Sequence, residues 1–360
     1  MNEATLDHKQ ILDQENWRRL LEPYKRSSTR AAVVQLVDTA VPFVLLWYLM
    51  AKSVPISYLL TLALAVPTAF LLVRLFILQH DCGHGSFFPS RVANHVVGSI
   101  LGVVTLFPYG YWRRTHAMHH ATSGNLERRE LGDIKTYTVR EYRAFSPLRR
   151  WLYRLYRHPL VLLGFGPFYQ FVLKHRFPFD IPWSWKREWA SVVATNVGIA
   201  AVFGALAWRF GWSTVLLVHL PIILIGGASA VFLFYVQHQF DDTYWEHQEG
   251  WDFYSAGVHG SSFLDLPRPL HWLTGNIGYH HIHHLVSRIP NYRLAQCFDE
   301  VPGLQRVTRL SLGQGVRCLG LKLWDEETRT LVGFDAVRSV DARGALSPAR
   351  AARGPETADG

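Results

Sequence analysis

Cysteine and methionine are scarce in this chain, with three of each in 360 residues. Cys82, Cys297 and Cys318 stand at unrelated spacings, which excludes a disulfide framework or a zinc ribbon and suits a reducing compartment. The first 30 residues are polar and charged and lack the apolar core of a secretory signal. Two signatures of hydrolytic chemistry are also missing: no His-Glu-x-x-His pair for a metalloprotease and no serine nucleophile elbow. No internal repeat of fixed period is present. Charge is absent where it would matter most, from long apolar runs. Lys and Arg outnumber Asp and Glu by 37 to 28, but the basic residues avoid those runs. The excess therefore points to a membrane surface and not to nucleic acid.

What is present is apolar bulk, with 49% hydrophobic and 14% aromatic residues, and 18 histidines. Four stretches reach the roughly 20 apolar residues needed to cross a bilayer: 31–51, 55–79, 189–208 and 213–237. The first holds only Asp38, the second only Arg74, and the others no charge. The connections Lys52–Val54 and Arg209–Trp212 are long enough only for turns, so the four pair into two helical hairpins. The stretch from Arg113 to Glu188 carries 15 Lys/Arg against 6 Asp/Glu. By the positive-inside rule the large loops and both termini face the cytoplasm. A fifth apolar stretch, Val92–Tyr111, includes His95, Gly98, Gly102 and Pro108 and is expected to lie in the interface or to re-enter. The expectation is an all-α polytopic membrane protein whose cytoplasmic helical cap carries a dinuclear metal site. Its parts are an N-terminal segment 1–30, a membrane domain 31–335 and a disordered tail 336–360.

The metal site follows from three histidine groups. His80 and His84 are four apart; His116, His119 and His120 follow the pattern His-x-x-His-His, as do His280, His283 and His284. On a helix each group shares one face. The triplet pattern occurs twice where chance predicts far less than one. The pair at His80 has no such statistical weight, but it stands where the second apolar run ends. Eight imidazoles on one membrane face exceed the four to six positions of one first-row metal, so two metals are implied. His238, directly after the fourth run, lies at the same depth and is a ninth candidate. Imidazole alone does not choose among iron, zinc, copper and nickel. Asp81 is expected to orient a ligand imidazole, and Asn276, four before His280, to hold a metal-bound water. His281 is an extra imidazole outside the pattern, and His219, beside Pro221, is a candidate partner for a freed helix carbonyl.

With those residues in view, the sequence resembles the integral-membrane fatty acid desaturases with three histidine boxes, from about Trp17 to Cys297. The matching motifs are HDCGHGSFF from His80, WRRTHAMHH from Trp112, QHQFDDTYW from Gln237 and GNIGYHHIHHLVSRIPNY from Gly275. They look most like the bacterial and cyanobacterial acyl-lipid branch that acts at Δ12 (ω6). The resemblance implies a cytosolic di-iron centre held by the eight box histidines and His238. It also implies a requirement for O2 and for two electrons per turnover, and a bacterial inner-membrane location. With no His-Pro-Gly-Gly haem segment in the chain, the electrons would come from a separate donor such as a ferredoxin. The implied substrate is an acyl chain of a membrane lipid, oleoyl in first place. Hydroxylation or ketolation of a lipid, alkane or carotenoid at the same site is the alternative.

Overall fold

The computed structural model describes residues 16–129 and 132–337. The first 15 residues and positions 338–360 of the expected C-terminal tail lie outside the described residues.

Four long helices dominate the described residues: α1 (Thr29–Ser53), α2 (Tyr58–His84), α5 (Lys186–Phe210) and α6 (Trp212–His238). All four are long and apolar enough to cross a membrane. Ser28 and Ser57 cap α1 and α2 by accepting from the backbone N–H groups of Ala31 and Leu60. The helix α2 forms the centre, packed against α1, α6 and a shorter helix α3 (Arg91–Val104). The lone charges of the first hairpin are brought together. Arg74, almost wholly buried, lies 3.8 Å from Asp38 Oδ1, donates to Thr39 Oγ1 at 2.9 Å, and reaches the carbonyl of Trp272. A guanidinium in an apolar span needs such partners. Pro221 inside α6 leaves the carbonyl of Leu217 without a helical donor, and the Tyr58 hydroxyl supplies one at 3.3 Å. His219 does not take that carbonyl; its Nδ1 accepts from Trp47 Nε1 at 3.1 Å.

At the fifth apolar stretch, Val92–Tyr111, α3 and α4 (Tyr109–Thr122) are bent 103° to one another. Leu106 at the bend has a left-handed backbone (φ 60°). Gln79 in α2 secures the turn: its amide donates to the carbonyl of Phe107 at 3.1 Å and its oxygen accepts from Thr105 Oγ1 at 2.5 Å.

Outside the long helices lies a cap of short elements. Among the described residues, five strands of two or three residues, which the sequence periodicity does not announce, tie it together: β1 (Tyr137–Thr138), β2 (Phe263–Asp265), β3 (Arg309–Ser311), β4 (Leu323–Asp325) and β5 (Thr330–Val332). The parallel pair β2–β3 aligns Leu264 with Leu310. Leu264 N–H also donates to Gly278 O at 2.9 Å, and this fixes the approach to the third histidine group on α7 (His280–Leu285).

Candidate metal centre

Four elements deliver the candidate residues. His80 and His84 occupy the last turns of α2, which stops at Gly85 (φ 66°). The triplet His116, His119 and His120 lies on α4, His238 ends α6, and α7 carries His280, His283 and His284. A side chain at Gly83 would meet the Trp112 ring at 2.6 Å, so glycine there lets α2 and α4 come close.

The nine imidazoles divide into two groups. His80, His84, His116, His120 and His283 form one; His119, His238, His280 and His284 form the other. Within each, one ring nitrogen per residue lies within 4.8 Å of all the rest. The closest pairs are His80–His116 at 3.0 Å, His116–His120 at 3.1 Å and His120–His283 at 3.0 Å, then His119–His238 at 3.2 Å and His238–His280 at 2.9 Å, all between Nε2 atoms. A first-row metal holds imidazole nitrogen at about 2.1 Å, so two such ligands at right angles stand about 3.0 Å apart.

Hydrogen bonding between neutral imidazoles cannot account for the approach of His119 to His238. His119 Nδ1 faces Asp133 Oδ1 at 2.5 Å, His238 Nδ1 faces the carbonyl of Gly260 at 3.0 Å, and His80 Nδ1 faces Asp81 Oδ1 at 3.2 Å. Each oxygen is an acceptor, so in the neutral imidazole Nδ1 carries the proton and Nε2 is left as a bare lone pair. Yet the Nε2 atoms of His119 and His238 point at one another. Two lone pairs at 3.2 Å repel, and a shared cation removes the repulsion. The buried Nε2 atoms of His84 and His284 find no hydrogen-bond partner among the described residues. Burial, and then the neighbouring imidazoles, hold His283 and His284 well below the ordinary histidine range, so both present the neutral form that binds metal.

Two candidate supporting residues share a partner, Asn291. Asp81 turns its second oxygen to Asn291, accepting from the backbone N–H at 2.7 Å and from Nδ2 at 2.9 Å. Asn276 (φ 57°) donates its amide to the carbonyl of the same Asn291 at 3.0 Å. His281 belongs to neither group and lies against the rings of Phe263 and Phe298. Sequence reasoning missed Asp133 and the Gly260 carbonyl. Asp133 lies 14 residues beyond His119 in a loop, where no spacing rule reaches.

Residues 54–310 match the family model described as fatty acid desaturase. A "Fatty acid desaturase" of Bacillus subtilis (strain 168) is 43% identical over 340 residues, covering 94% of this chain and 95% of the relative. The chain belongs to the fatty acid desaturase family. As a fatty acid desaturase it is an oxidoreductase of lipid metabolism, and all nine clustered histidines fall inside the matched region. Two cyanobacterial relatives from Synechocystis are more distant. The "sn-1 acyl-lipid omega-3 desaturase (ferredoxin)" is 29% identical over 239 residues, 63% of each chain. The "sn-1 oleoyl-lipid 12-desaturase" is 25% identical over 282 residues, 76% of each chain.

Proposed function

We propose that this desaturase uses two iron ions and O2 to place a cis double bond in a fatty acyl chain of a membrane lipid. The observation that carries the reading is the convergence of nine imidazoles into two separate groups, with the Nε2 atoms of His119 and His238 turned on one another in one of them. His80, His84, His116, His120 and His283 would hold one ion, and His119, His238, His280 and His284 the other. Bound iron would supply the activation of O2 that breaking an unactivated C–H bond requires.

The chain's own residues hold and orient. Asp81, Asp133 and the Gly260 carbonyl keep three imidazoles in the tautomer that offers Nε2. Asn291 in turn holds Asp81. No side chain is needed as a conventional acid or base, because the alkyl substrate presents no polar group at the reacting carbon. Regiochemistry then comes from how far the chain is admitted past the site.

The finer reading is Δ12 desaturation of oleoyl chains, supported by the box motifs and by the relative named for oleoyl lipid. The site would face the cytoplasm from the bacterial inner membrane, as the basic loops support. Electrons would come from a small donor such as a ferredoxin, which the name of one relative includes. The test is the fatty-acid profile of an oleoyl-rich host that expresses this chain, with His119→Ala and His284→Ala beside it. Linoleoyl chains made only by the unsubstituted protein are the expected result. A different new monoene or diene would move the position of the double bond, and hydroxylated chains would replace desaturation with oxygen insertion. An unchanged profile, with metal bound and a competent donor present, would overturn the acyl-lipid reading.

A further inference from the structure

A groove of about 490 Å³ runs between α3, α4 and α5, on the outer side of the helix pair that bends by 103°. Its wall includes Arg113, Arg187, His95, Ile100, Val103 and Ala194. The size is within the range of small-molecule sites.

The groove has a charged end and an apolar end. On α5, Arg187 precedes Ala194 by seven residues, about 10 Å of helix rise. On α3, Val103 lies eight residues beyond His95, about 12 Å away. A side chain at Gly198 would meet Val103 at 2.7 Å, and Gly110 N–H donates to Ser191 Oγ at 2.8 Å. These two contacts set the register. Val103 lies deep along α5, while the start of α4, and Arg113 one turn further on, sit near Arg187. The shallow end thus gathers two guanidinium groups, and the deep end is lined by Ile100, Val103 and Ala194, with the small hydroxyl residues Ser99 and Thr195 beside them.

The charges at that end are uncompensated. Arg114, next to Arg113, pairs with Glu188 at 3.2 Å and stacks on the Trp185 ring at 3.6 Å. By contrast, Arg113 and Arg187 are exposed and form no ion pair among the described residues. His95, also exposed, has Nδ1 3.4 Å from the Tyr109 hydroxyl, which itself donates to the carbonyl of Cys82 at 2.8 Å. Two unpaired cations above an apolar trough match the shape and charge of a lipid with an anionic headgroup.

We propose that this groove holds one glycerophospholipid with a net negative headgroup, its phosphate on Arg113 and Arg187 and an acyl chain along Ile100, Val103 and Ala194. Such a lipid would fill the outer side of the bent pair and brace α4, which carries His116 three residues beyond Arg113. It is not the chain being desaturated, and the inference does not depend on which metal the histidines bind.

The full-length protein is reconstituted in nanodiscs of phosphatidylcholine with or without phosphatidylglycerol. Lipid retained after detergent washing is then counted by mass spectrometry, and thermal unfolding is followed in parallel. Retained phosphatidylglycerol and a higher unfolding temperature in its presence are expected for the unsubstituted protein. The R113Q/R187Q variant, changed only at exposed positions, is expected to bind phosphatidylglycerol about thirtyfold more weakly, at the energy typical of two basic residues at a lipid surface. Ala194→Phe, which fills the apolar end and keeps the charge, is expected to lower retention as well. Equal retention by R113Q/R187Q and the unsubstituted protein, at equal metal content, would overturn the proposal. So would full stabilisation by inorganic phosphate without lipid, which would leave an anion site in place of a lipid site.

Discussion

Asp133 Oδ1 lies 2.5 Å from His119 Nδ1, the shortest carboxylate contact to any of the clustered imidazoles. The carboxylate fixes the His119 proton on Nδ1 and aims Nε2 at the other three imidazoles of its group. Its other oxygen, Oδ2, is buried with no hydrogen-bond partner among the described residues, so the contact with His119 carries all of its bonding. Asp133→Ala is therefore expected to weaken metal binding about 10- to 100-fold at the group of His119, His238, His280 and His284. Metal analysis after dialysis against a chelator would show a loss confined to that group, with the five-histidine group still loaded. Equal loss from both would contradict the separation.

The same logic gives a different outcome at Asp81. This carboxylate is shared between His80 Nδ1 and two donors from Asn291, so Asn291 sets its direction. Asn291→Ala would remove the side-chain donor and leave the backbone one. The expected effect is a partial loss of metal at the five-histidine group, smaller than that of Asp81→Ala. Chelator titration of the three proteins in parallel would give the ranking, and an Asn291→Ala protein weaker than Asp81→Ala would argue that Asn291 acts on the centre by another route.

How much of this was legible in the sequence depends on the distance over which each interaction acts. The four long helices are local events, written in uninterrupted apolar runs, and their bounds in the structure differ from those read off hydropathy by up to five residues. The largest difference, the end of α2 at His84 in place of position 79, arises because the helix runs on through the polar first histidine pair and stops only at the left-handed Gly85. The histidine groups were legible because two of them recur at helical spacing. How the nine histidines divide was not, since it mixes three boxes: His119 parts from its neighbours His116 and His120, and His283 from His284. Neighbours on one helix point about 100° apart and so reach different centres. Asp133, the strands of two or three residues and the Arg74–Asp38 contact are tertiary events. The last was half visible, since each of the first two spans held a single charge of opposite sign.

Gly275 offers a test of how the third box is placed. Its backbone is left-handed (φ 54°), and a side chain there would meet Ile77 Cγ2 at 2.7 Å, three residues before His80. Asn276 follows with φ 57°. Both the dihedral and the close approach of α2 demand glycine. Gly275→Ala is expected to cost about 2 to 4 kcal/mol, from left-handed strain plus overpacking against a core helix. Denaturant titration in detergent would measure it. A change below about 0.5 kcal/mol, the usual effect of a surface substitution, would show that this turn relaxes without moving α2.

His281 separates packing from metal binding within a single box. It is fully buried, and burial lowers its pKa to about 3, against an opposing pull from the backbone carbonyls of Leu304 and Ser262. An unfolded histidine titrates near 6.5. Above that value both states are neutral, and the contribution to stability is at its full value. Between 6.5 and about 3 the unfolded chain takes up a proton that the folded chain refuses, so stability falls as the pH drops, by about 1.4 kcal/mol per unit. His281→Gln removes the titration and leaves the nine clustered histidines in place. Between pH 7 and pH 5 the unsubstituted protein is expected to lose about 2 kcal/mol more than His281→Gln, by denaturant titration with metal content checked at both values. Equal losses would mean that the neutral form of His281 is not what its surroundings in the cap select.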